Sequence, residues 1–186
     1  MTSAARRTSD RRRGGFTLLE IIIVLALAMM VIGGALAGLY INRDEGRLNN
    51  ATVEIEALAK RARTMASLQQ RPYALEFLPK QVNLLPYADA LIEPDERDAF
   101  AEDDPEASSG ATESYQIDDD FLLLVRRWAT GQWDPVERND RQVWRFDPQG
   151  ICEPLGVRFE MENGNWIAIL FNPLTAAIAE TESDIK

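Results

Sequence analysis

Between Gly15 and Arg43 the chain carries one charged residue, Glu20, and residues 21–41 form an uninterrupted apolar run. About 20 residues rising about 1.5 Å each in a helix are enough to cross a hydrocarbon core about 30 Å thick. A carboxylate inside such a span costs about 2.5 to 3.5 kcal/mol on insertion scales, so it calls for a cationic partner. No Lys, Arg or His lies in the run to serve. A cut between Gly15 and Phe16 supplies one, because it leaves a new α-amino group about one helical turn from Glu20. The same carboxylate can equally meet the amine of a neighbouring copy, and that second pairing builds a polymer.

The residues Arg12-Arg13-Gly14-Gly15-Phe16-Thr17-Leu18-Leu19-Glu20, followed by Ile, Val, Leu and Ala, resemble the type III signal of type IV prepilins and type II secretion pseudopilins. The resemblance implies that a prepilin peptidase cleaves after Gly15 and N-methylates Phe16, and that Glu20 is used in assembly. It also implies partners: other pseudopilins or pilins packed through the N-terminal helix, and an inner-membrane assembly platform. An ordinary secretory signal is cut after its apolar region. Here the candidate cut precedes that region.

Removing residues 1–15 takes away Arg6, Arg7, Arg11, Arg12, Arg13 and Asp10, which leaves 15 basic against 29 acidic residues, a net charge of −14. Such a field opposes nucleic acid, whose binding draws most of its affinity from Lys and Arg. The absence of histidine excludes His-dependent triads and most zinc sites, and a single cysteine, Cys152, excludes an intrachain disulfide. Arginines before the apolar run put the N-terminus in the cytoplasm and the acidic domain outside, giving a single-pass inner-membrane protein with a periplasmic domain.

The chain therefore divides into a cleaved basic leader (1–15), a transmembrane and assembly helix (16–41), an amphipathic helix half (42–71) and a β-rich periplasmic domain (72–186). Gly34 and Gly38 form a small-xxx-small pattern that lets helix backbones approach closely. Leu48, Ala51, Ile55, Leu58, Ala62 and Met65 make an apolar stripe, Gly46 and paired asparagines mark a weak or bent point at 42–50, and Pro72 ends the helix. Tyr73, Leu75 and Phe77 begin a period-two pattern that turns at Pro79-Lys80 and continues through Val82 and Leu84, a β-hairpin. Residues 88–120 lose periodicity and read as a long acidic loop.

Strand character returns at 121–125, over 127–129, at Gln142–Phe146 and around Val157, Phe159 and Met161, with turns at Asp147-Pro148-Gln149-Gly150 and Asn163-Gly164. Trp166–Phe171, apolar on both faces, reads as a buried central strand. The fold expected is α+β, a long N-terminal hydrophobic α-helix whose second half packs on a C-terminal antiparallel β-sheet domain. The helix end, the Phe146-Asp147-Pro148-Gln149-Gly150 turn and the final hydrophobic hairpin are similar to the H-type minor pseudopilins. That subfamily closes with a Thr-Gly-basic-Val step, where this chain has Thr175-Ala176-Ala177-Ile178.

Other chemistry is sparse. Asp95, Glu96, Asp98, Glu102, Asp103, Asp104 and the triplet Asp118-Asp119-Asp120 match no spaced calcium loop, and adjacent aspartates on a strand point apart, so they read as solvated and no metal or cofactor is assigned. Trp128, Trp133, Trp144 and Trp166 read as core packing, and Cys152 as a small apolar filler. Without a phosphate loop or a nucleophile motif the chain reads as a non-enzymatic fibre subunit. The expected function is a minor pseudopilin of a type II secretion pseudopilus. The alternatives are a minor pilin of a type IV pilus, serving adhesion, motility or DNA uptake, and a membrane-anchored periplasmic domain that never polymerises.

Overall fold

The computed structural model describes residues 18–94, 96–97, 113–137 and 140–186, the side chains of residues 33–42 excepted. Two compact units divide the chain, Met1–Tyr40 and Ile41–Lys186. Helix α1 (Leu18–Gln69) supplies all of the first unit that is described, and continues into the second. In the first unit the side chains of residues 18–32 are exposed throughout, with Leu18, Met30 and Val31 more than 70% accessible. Among the described residues no helix is long and apolar enough to cross a membrane. The spanning run expected from the sequence depends on residues 33–42, whose side chains lie outside the description.

In the second unit α1 is followed, among the described residues, by nine strands: β1 (Tyr73–Leu78), β2 (Gln81–Pro86), β3 (Glu113–Gln116), β4 (Phe121–Arg127), β5 (Trp133–Pro135), β6 (Gln142–Phe146), β7 (Leu155–Met161), β8 (Trp166–Phe171) and β9 (Ile178–Asp184). They form two antiparallel sheets, of order β3-β2-β1-β6 and β5-β4-β7-β8-β9. The expected single sheet is thus two. Both send one face into a common core with the helix stripe, of which Leu48, Ala51, Ile55, Leu58 and Ala62 are buried and Met65 half-buried. Ala59 and Ala66 widen the stripe, their small side chains letting sheet residues approach the helix closely. Trp144 anchors this core, its ring centroid 4.5 Å from that of Phe146 and 4.9 Å from that of Phe171.

Residues 42–50 are helical, so the helix runs on through the stretch read as a weak or bent point. The helix ends at Gln69, and Gln70 takes the left-handed conformation (φ 51°) that usually favours glycine. The β1–β2 hairpin turns at Pro79-Lys80 as expected, with Leu78 paired to Gln81. The Asp147–Gly150 turn also forms, closed by the Gly150 N–H donating to the Asp147 carbonyl at 2.8 Å. Between β7 and β8, however, the Gly164 N–H donates to the Met161 carbonyl and the Met161 N–H to the Asn165 carbonyl. That bonding makes a three-residue loop, with Gly164 (φ 84°) in its left-handed position, rather than a two-residue turn.

Three further expectations are corrected. The 88–120 stretch contains a 3-10 turn at Asp89–Leu91 and strand β3, which pairs with β2, so it is not loop throughout. Arg127 ends β4, and the chain turns at 128–130 instead of continuing as strand. β8 is an inner strand, paired with β7 and β9 as expected, but it is not buried on both faces, since Trp166 and Leu170 stay half-buried on its outward face. β9 went unread because its alternation is of acids with small polar residues, which lacks the apolar half of a strand pattern.

Candidate functional site

The N-terminal features fall partly outside the described residues. Gly15 and Phe16 lie outside them, and so do the side-chain surroundings of Gly34 and Gly38, whose backbone is helical. Glu20 sits in the first turn of α1, exposed among Leu18, Leu19 and Ile21. This helix start presents an apolar surface with one carboxylate in it.

Among the described residues of the second unit, polar groups fasten the helix to the rest of the unit at several places. Asp44 Oδ2 accepts from Asn163 Nδ2 (2.8 Å) and Asn165 Nδ2 (3.1 Å) on the β7–β8 loop. Arg47 donates to Asp118 Oδ2 through Nε (3.0 Å) and to Asp120 Oδ2 through Nη1 (2.7 Å), while its guanidinium lies 5.0 Å from the Phe121 ring centroid. Further along, Arg63 Nε donates to the Gly150 carbonyl (2.9 Å). A Cβ on Gly150 would stand 3.3 Å from that guanidinium, and its φ of 77° also suits glycine. Arg61 additionally pairs with Glu113 on β3.

The acidic triplet is therefore not simply solvated. Asp118 and Asp120, two residues apart, face the same way and share Arg47, while the Lys80 ammonium donates to the Phe121 carbonyl at 3.1 Å. The hydrogen bond from Arg47 holds the Asp120 carboxyl below its usual value, and the two aspartates raise the already high pKa of Arg47. Asp95, Asp98, Glu102, Asp103 and Asp104 lie outside the described residues. Among the described residues no three His, Cys, Asp or Glu side chains are gathered to hold a metal.

A buried ionic cluster occupies the other face of the four-stranded sheet. Glu76 on β1 is fully buried and accepts from Arg97 Nη2 (2.8 and 2.9 Å), Asn83 Nδ2 (3.1 Å) and Arg141 Nη1 (3.3 Å). Arg141 also donates to the Ile92 carbonyl at 2.8 Å, so residues 87–94 are drawn over this face, where Ala74, Leu85 and Ala90 make a second small core. Sequence reading missed this cluster. Its one signal was a glutamate inside an otherwise apolar strand.

The tryptophans divide. Trp144 is core, whereas Trp133 and Trp166 lie on the outward face of the five-stranded sheet under Arg126 (4.7 Å) and Arg158 (4.2 Å), and Trp128 is 80% exposed. Cys152 is the buried filler expected, bridged to Phe146, and burial pushes its thiol up to about 11.

Residues 10–36 match the family model of the prokaryotic N-terminal methylation motif. The match spans the basic flank, Gly15, Phe16, Glu20 and most of the apolar run. No curated protein and no solved structure matches the chain.

Proposed function

We propose that this chain is a non-enzymatic, pilin-like fibre subunit, and within that class a minor pseudopilin of a type II secretion pseudopilus. The observation that carries the reading is the methylation motif at residues 10–36 running into a helix whose side chains at 18–32 are all exposed, with Glu20 in its first turn. A prepilin peptidase cuts after Gly15 and methylates Phe16. Glu20 is then neutralised by an N-terminal ammonium, its own or a neighbour's, as the apolar helices bundle. The subunit waits in the inner membrane with its domain in the periplasm, and the assembled filament helps drive folded proteins across the outer membrane. The sheet domain decorates the fibre and, by resemblance, its H-type character assigns it to the start or cap.

The test is paired. Mass spectrometry of the mature chain is expected to show a methylated Phe16 as the first residue. Glu20→Ala is expected to leave cleavage intact and to abolish incorporation into filaments, scored by co-sedimentation. A chain beginning upstream of residue 16, or a Glu20→Ala chain that assembles normally, sinks the proposal in favour of a simple anchor.

A further inference from the structure

We propose that the free edge of β9 is a docking strand for an extended segment of a partner protein that carries Lys or Arg at every second position. Among the described residues β9 closes the five-stranded sheet and pairs with β8 alone, six of its seven residues are exposed, and at its start the Ile178 N–H is already given to Glu56 Oε1 (2.9 Å). An edge strand leaves alternate backbone N–H and C=O groups pointing outward, and a further strand can pair with them. The other described edges offer less. β5 has three residues and ends in Pro135, which has no N–H; β3 has four residues; β6 has five, and Cys152 bridges its end at Phe146.

The side chains of β9 say what should pair there. Register places Glu180 opposite Leu170, Glu182 opposite Ala168 and Asp184 opposite Trp166, so the three carboxylates stand in one row on the outward face, spaced by about 7 Å. Asp184 has Lys186 at 3.5 Å, while among the described residues Glu180 and Glu182 have no ion-pair partner. A strand laid against this row puts its own outward side chains directly opposite the acids, where unlike charges attract and like charges repel. A second copy of β9 would bring acid against acid, so self-pairing is disfavoured and the complementary occupant is basic.

The inference goes beyond the proposed function. Packing through the N-terminal helix needs nothing from β9, and docking on β9 needs nothing from Glu20.

The test titrates the full chain in neutral detergent with a fluorescent peptide, Thr-Lys-Val-Lys-Val-Lys-Thr. A scrambled peptide with its lysines adjacent and a Glu-for-Lys peptide serve as references. The alternating peptide is expected to bind, with the scrambled one at least about ten-fold weaker, and to slow amide exchange along β9. The variant with Glu180→Lys, Glu182→Lys and Asp184→Lys is expected to lose the Lys peptide and gain the Glu peptide, a gain that also shows it folded. Absence of binding, equal binding of the scrambled peptide, or cross-linking of Thr181→Cys chains into dimers through β9 would each overturn the proposal. None of these results bears on Phe16 processing or Glu20→Ala assembly.

Discussion

Glu76 shows how much one residue can organise. A fully buried carboxylate is tolerable because Arg97, Arg141 and Asn83 satisfy its oxygens, and removing it strands two half-buried guanidinium groups. Breaking a buried ion pair from one side costs about 3 to 5 kcal/mol, so Glu76→Ala is expected to lower unfolding free energy by that amount in urea titrations. It should also open the chain near Arg97 to trypsin. Asp120 acts through pH. Its folded pKa is depressed by Arg47, so its stabilisation is fully present above the unfolded value near 3.8 and disappears as pH falls through the lower folded value. Glu56 adds to the same window. Burial alone would raise its pKa, but hydrogen bonds from Lys60 and the Ile178 N–H outweigh burial and lower it. Stability is therefore expected to decline below about pH 4, and Asp120→Asn to flatten part of that decline in thermal melts at stepped pH.

Among the elements, the outward face of the five-stranded sheet turns on Gly156. Register puts it between Arg126 and Leu170, and a Cβ there would stand 2.9 Å from both the Trp133 ring and Leu170. Gly156→Ala is expected to cost about 1 to 3 kcal/mol by overpacking and to shift the Trp133 fluorescence, with Gly164→Ala distinguished by its open surroundings and purely conformational cost. Strands with apolar signal were readable in the sequence. Gln142–Phe146 and Trp166–Phe171 have the bounds expected, because their aromatic and β-branched residues alternate or run together. β3, β5 and β9 were not readable, since short or acidic edge strands take their conformation from the neighbour they pair with. The same limit hid the sites. Glu20 stood out because local context makes a charge there anomalous, whereas the Arg47 and Glu76 partnerships join residues 71 and 65 positions apart, a distance that no spacing rule reaches. Ala176 was not legible either. Its backbone takes a left-handed φ of 54°, a conformation more often given to glycine.

At the scale of the whole second unit, the helix and both sheets share one core, and Cys152 sits within it as a built-in reporter. With burial holding its thiol near 11, only about one molecule in a thousand carries thiolate at pH 8, and the sulfur is shielded besides. Maleimide labelling of the native chain is expected to be at least about 100-fold slower than in high urea, and to accelerate in Glu76→Ala in step with its lost stability. Rapid native labelling would show that the core opens locally around the Asp147–Gly150 turn.

The fastenings at Asp44, Arg47 and Arg63 have a geometrical corollary. A helix is a screw, and slipping it by one residue advances it about 1.5 Å while rotating it about 100°. Such a step would carry all three polar side chains off their mates together and swing Ala59 and Ala66 out of the interior. Residues 44–63 are therefore held at one azimuth by the fastenings and the buried stripe together, and a register shift breaks both at once.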